Sequence, residues 1–138
     1  MPYDERFIAP MRAELTRLGI HELKTPEEVD ATLKDARGTT LVVVNSMCGC
    51  AARNARPAVA LALAKGKKPT AMTTVFAGQD LDATDRARSY LTGYAPSSPS
   101  IALLKDGKVA FMLERHQIER RDAQEIAGDL SAAIEQFC

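Results

Sequence analysis

The sequence predicts an α/β fold, with a central mixed β-sheet flanked by helices and an extra helix at the N-terminus. Two observations carry this. Short β-branched runs alternate with helical patterns, which argues for parallel strands, and an Asp-Gly pair near the end joins two further strands as an antiparallel hairpin. The 138 residues fall within the usual range for one compact domain, taken here as residues 1–138. No repeat, low-complexity tract or linker interrupts them.

The elements follow in order. Phe7, Ile8, Met11, Leu15 and Leu18 recur at spacings of three and four, predicting an amphipathic helix that starts near Pro10 or bends there and stops at Gly19. Ile20 to Lys24 suits a short edge strand. Thr25-Pro26-Glu27-Glu28 reads as a capping box, opening a helix that turns Val29 and Leu33 inward and stops by Gly38. Leu41-Val42-Val43-Val44 is a continuous apolar run, as expected of a strand buried on both faces. An alanine-rich segment, Ala51 to Lys65, predicts a helix kinked at Pro57. A second inner strand spans Ala71 to Phe76, a turn follows, and Leu81 to Leu91 reads as a helix closed by Gly93. Strands Ile101 to Leu104 and Val109 to Leu113 flank Asp106-Gly107. The mixed charges of residues 114–122 predict a solvated loop, and an amphipathic helix runs from about Asp122 to Phe137.

Hydrophobic residues at 46% and charged residues at 26% are the proportions of an ordinary globular protein. A chain of this length buries roughly two-thirds of its unfolded surface, so the core needs no disulfide staples. Lysine plus arginine equals aspartate plus glutamate, at 18 each, which points away from nucleic acid and from anionic membranes as partners. Aromatic residues at 5% without tryptophan weaken any base-stacking role. The opening Met1-Pro2-Tyr3-Asp4-Glu5-Arg6 lacks the pattern of a secretory signal, and no apolar run approaches the ~18 residues of a membrane helix. A cytoplasmic location is therefore expected. In that reducing compartment, close cysteines are catalytic or metal-binding more often than structural.

Cys48 and Cys50 of Met47-Cys48-Gly49-Cys50 lie where a buried strand gives way to a helix. The first turn of a helix presents unpaired N–H groups and the positive end of the macrodipole, which stabilise a thiolate. Arg53 and Arg56 add to that field if they face the sulfurs. A disulfide between residues separated by one requires a sharp backbone turn, for which Gly49 is suited, and the small ring would be strained and labile. Two other readings stand beside this one. Both thiols are inert packing groups, or they supply ligands to a metal or iron–sulfur module shared across a dimer; His21, His116 and Cys138 show no zinc-ligand spacing. No tightly bound cofactor is expected. Cys138 is a possible third thiol if the last helix packs beside the pair, and an ordinary surface thiol otherwise. His21 and His116 titrate near neutrality, but nothing in their spacing places either beside Cys48. Ala95-Pro96-Ser97-Ser98-Pro99-Ser100 precedes a strand, where the Ser98-Pro99 bond is either a cis peptide or an ordinary trans turn.

Several strings, taken in order, give the chain a specific resemblance to a known family. They are Pro10-Met11-Arg12-Ala13-Glu14-Leu15, Gly38 through Ser46, Cys48-Gly49-Cys50-Ala51-Ala52, Val75-Phe76-Ala77-Gly78-Gln79-Asp80, Ala95 through Ser100, and Cys138. The chain resembles the bacilliredoxins, bacterial proteins of thioredoxin-like fold with a Cys-Gly-Cys site. The resemblance implies that Pro99, after Ser98, takes the place of a cis proline beside the reacting sulfur. It implies removal of bacillithiol, or a similar low-molecular-weight thiol, from mixed disulfides on client proteins. Cys48 would attack and Cys50 would resolve, with bacillithiol as thiol co-substrate and a recycling reductase as a further partner. Disulfide isomerase or general reductase activity is the alternative within redox chemistry.

Overall fold

The computed structural model describes residues 2–138. Five strands form one mixed sheet: β1 (His21–Glu22), β2 (Thr39–Asn45), β3 (Ala71–Phe76), β4 (Ser100–Lys105) and β5 (Lys108–Leu113), in spatial order β1-β3-β2-β4-β5. β1 and β2 pair parallel with β3, while β4 pairs antiparallel with β2 and with β5. The predicted parallel core with a terminal antiparallel hairpin is therefore the observed sheet.

β2 is central, and every one of its residues is buried. Period-two alternation sends Leu41 and Val43 to one face and Val42 and Val44 to the other. On the first face they meet Ala58, Val59, Ala62 and Leu63 of α3 (Arg56–Leu63) and Ile126, Leu130 and Ile134 of α6 (Ala123–Phe137). On the second they meet Val29 and Leu33 of α2 (Pro26–Leu33) and Ala83 and Ala87 of α4 (Leu81–Arg88). Each fully buried Val, Leu or Ile contributes roughly 1.5–3 kcal/mol relative to exposure. The two helical layers thus hold β2 rigidly, and with it the loop that follows.

Four local expectations need adjustment. The N-terminal helix α1 (Glu5–Thr16) runs through Pro10 rather than starting there, capped by Asp4. Pro10 is exposed, so the carbonyl that loses an N–H partner is open to water. Phe7 points outward at 55% exposure, and the inward positions are Ile8, Arg12 and Leu15. In the capping box of α2, Thr25 Oγ1 accepts from Glu28 N–H at 3.1 Å, but the Glu28 carboxylate reaches Lys24 N–H at 3.0 Å. The alanine-rich helix begins with a turn of π-helix, Ala51–Ala55, before α3. Pro57 supplies no N–H and its ring crowds the preceding turn; the wider π spacing accommodates both. Finally, residues 115–118 are not loop but a single helical turn, α5 (Arg115–Ile118), closed by a Glu114/Gln117 capping box and anchored by fully buried Ile118.

Candidate active site

The loop leaving β2 is fixed from beneath by a buried arginine. Arg56, 3% exposed at the start of α3, donates to Asn45 Oδ1 at 2.9 Å and to the Ser46 carbonyl at 2.8 Å. Its Nε lies 3.1 Å from the Glu14 carboxylate of α1. Asn45 in turn donates to the Met11 carbonyl at 3.2 Å and accepts from Ser46 N–H at 2.9 Å. Strand, helix and N-terminal helix therefore converge on residues 45 and 46. Arg56 does not face the sulfurs; it positions the backbone that carries them.

Ser46 passes that order to Cys48. Its hydroxyl donates to Cys48 Sγ at 3.3 Å and accepts from Cys48 N–H at 3.4 Å. The N–H groups of Ala51 and Ala52 close on the Cys48 carbonyl at 3.1 and 3.2 Å, beginning the π turn. Cys48 and Cys50 are free thiols with their sulfurs 2.7 Å apart. Cys48 is half-buried, whereas Cys50 is 8% exposed.

Their acidities diverge accordingly. Burial pushes the Cys48 thiol up, but hydrogen bonds from Cys50, Ser46 and the Ala51 and Cys50 amides outweigh it, leaving the group below its ordinary value. For Cys50, burial and the proximity of Cys48 both push the thiol up, against a smaller lowering by the Arg115 charge. The more accessible sulfur is thus the more acidic of the pair, and its covered neighbour the less acidic.

Gly49 behaves differently from the expectation. Its φ is not in the left-handed region, so the turn does not depend on glycine's dihedral freedom. What it provides is space: a Cβ there would stand 3.1 Å from both terminal nitrogens of Arg53, whose guanidinium folds back over the Cys-Gly-Cys turn. Cys48, Gly49 and Cys50 form one wall of a groove of about 420 Å³ completed by Arg53, Arg115, Glu119 and Arg120. A second groove of about 290 Å³ lies on the other side of Cys48, lined by Tyr3, Met47, Ala77, Gly78, Arg88 and Ser98 among others.

The register of β4, with Ser100 opposite Val44, brings the Ser98-Pro99 turn beside the exit of β2. The Ser98-Pro99 bond is cis, and Pro99 is buried. Arg115 ties this turn to α5, donating from its guanidinium to the Ser98 carbonyl at 3.1 Å and from its backbone to Ser97 Oγ at 3.4 Å.

Other candidates lie elsewhere. Cys138 donates to Thr39 Oγ1 at 3.1 Å, at the opposite end of β2 from the pair. Six residues of extended strand place it roughly 20 Å away, so the last helix carries this thiol away from the site rather than beside it. His21 and His116 are exposed and line neither groove. Among the described residues, no group of three or more His, Cys, Asp or Glu is arranged to hold a metal ion. Nor is any helix long and apolar enough to cross a membrane. Sequence reading missed Ser46, Asn45 and the groove arginines 115 and 120. The Glu114-x-x-Gln117 capping pattern was the available sign that α5 exists.

A mixed sheet of this topology, with helices on both faces and the cysteine pair between its central strand and the next helix, is a thioredoxin-like fold. Solved thioredoxins bear this out. Reduced Schistosoma mansoni thioredoxin superposes with a TM-score of 0.57 at 16% identity, covering 86% of this chain and 98% of that one. Malassezia sympodialis thioredoxin gives 0.55 at 12%, covering 86% and 90%. The family described as disulphide isomerase matches residues 3–138. A bacilliredoxin of Salinibacter ruber is 54% identical over 140 residues, spanning 100% of this chain and 82% of the relative. Those of Koribacter versatilis and Staphylococcus epidermidis are 50% and 49% identical over 136 residues, each spanning 99% of this chain and 94% and 93% of theirs. The chain belongs to the bacilliredoxin family. Family and fold together support thiol–disulfide oxidoreductase chemistry.

Proposed function

We propose that the protein removes bacillithiol from mixed disulfides on cytoplasmic client proteins, with Cys48 as nucleophile and Cys50 as resolving thiol. The observation that carries this reading is the asymmetry of the pair: an accessible sulfur with lowered pKa stands 2.7 Å from a buried one with raised pKa. The Cys48 thiolate attacks the bacillithiol sulfur, the client–bacillithiol bond breaks, and the client leaves as a thiolate that takes up a proton. Cys50, once deprotonated, attacks Cys48 Sγ and expels bacillithiol as its thiolate, leaving a Cys48–Cys50 disulfide. A two-electron reductant, either a reductase or low-molecular-weight thiol, resets the site.

Release of the client thiol from a bacillithiol-modified protein tests the reading, beside a glutathione-modified control. Wild type is expected to release the bacillithiol client preferentially, and Cys48→Ser to release neither. Equal release from both would replace this reading with a general reductase. Isomerase activity is a second reading, favoured by the description of the matching family; recovery of a scrambled multi-disulfide protein, dependent on Cys48, would support it.

A further inference from the structure

We infer that Arg53, Arg115 and Arg120 form an anion subsite that seats carboxylates of the low-molecular-weight thiol during transfer to Cys48. The inference rests on the functional reading above and names what that site recognises. The chain as a whole is neutral, with 18 basic and 18 acidic side chains. The groove beside Cys48 departs sharply from that balance: three guanidinium groups line it against one carboxylate, Glu119. Arg115 is partly engaged, at 3.2 Å from Glu119. Among the described residues Arg53 and Arg120 have no ion-pair or hydrogen-bond partner for their guanidinium groups, although both border the groove.

Two unpaired forks and a third beside the reacting sulfur suit planar carboxylates, which guanidinium groups bind in bidentate fashion. The volume of about 420 Å³ is that of a small-molecule site rather than a polypeptide track. The second groove, lined by Tyr3, Met47, Ala77 and Gly78 together with Arg88 and Arg115, offers the client a seat on the other side of Cys48. The sulfur to be attacked then sits between the two, with the small thiol's body over the Cys-Gly-Cys turn. The bonds exchanged are unchanged: the thiolate of Cys48 bonds to the small thiol's sulfur as that sulfur's bond to the client breaks, and the electron pair leaves on the client sulfur.

One client protein is modified in parallel with a carboxylate-bearing thiol, bacillithiol or mercaptosuccinate, and with neutral thioglycerol. The readout is the ratio of kcat/KM for anionic over neutral adducts, from which the client's own charge and the intrinsic reactivity of Cys48 divide out. Wild type is expected to favour the anionic adducts roughly tenfold, since two exposed ion pairs are each worth up to about fivefold. The double variant Arg53→Gln/Arg120→Gln is expected to bring the ratio near unity, chiefly through KM, and added salt to lower it in wild type. Both side chains are exposed and unpaired, so the variant is expected to fold. An active wild type with no charge preference, or a preference that survives the double variant, would overturn the subsite while leaving the exchange chemistry standing. An inert wild type would overturn both.

Discussion

At the scale of single residues, the reactivity of Cys48 is a contest between burial and hydrogen bonds, and the bonds win. Ser46 is the side chain outside the pair that donates directly to the sulfur. Its removal withdraws a contact that favours the thiolate, so Ser46→Ala is expected to raise the Cys48 pKa. The sign follows directly: the thiolate fraction at neutral pH falls, and the midpoint of the alkylation rate against pH moves upward. Wild type is expected to show a midpoint below that of an ordinary thiol, about 8.5. An unmoved midpoint would mean that Ser46 contributes nothing to acidity. The pair itself was legible from the sequence because Cys-Gly-Cys and the preceding Val-rich strand are adjacent in the chain. Arg56 was not. Its partners Asn45 and Glu14 lie 11 and 42 positions away, and only the packed fold reveals that it turns inward.

At the scale of elements, the site depends on α5, the one helical turn that sequence reading took for loop. Its charges dominate residues 114–122, and Ile118 alone gives no periodicity to detect. Yet Ile118 is fully buried in the α3–α6 layer, and its carbonyl accepts from Asn54 of the π turn at 3.0 Å. That anchor holds Arg115 against the Ser98 carbonyl and the groove. Ile118→Ala is expected to cost about 2–4 kcal/mol, as large-to-small core substitutions do, measured as a shift in the denaturation midpoint at constant slope. A loss within a few tenths of a kcal/mol would show that α5 is not anchored through this side chain. The π turn teaches a related lesson. Pro57 announced a disturbance of the alanine-rich helix, but whether the chain kinks or widens is settled by how α3 packs on β2 and α6.

At the scale of the whole molecule, the succession of elements, the parallel core and the antiparallel hairpin were legible because β-branched runs, helical periodicity and the Asp-Gly turn are local signals, whereas the spatial strand order β1-β3-β2-β4-β5 depends on long-range pairing. Relative placement of the termini was not legible either. Cys138 and Cys48 stand at opposite ends of β2, with Cys138 bonded to Thr39 at the strand's start. Turnover by Cys138→Ser is accordingly expected to match wild type, and mild oxidation is expected to link Cys48 only to Cys50 within one chain. A Cys48–Cys138 disulfide mapped in the monomer would require a different packing of the last helix.

The central claim, that Cys48 attacks and Cys50 resolves, is tested most directly by intact mass and peptide mapping of Cys50→Ser after reaction with a bacillithiol-modified client. The expected result is one bacillithiol adduct, located on Cys48, formed as the client thiol appears. An adduct on Cys138, or client release by Cys48→Ser at the wild-type rate, would contradict the assignment.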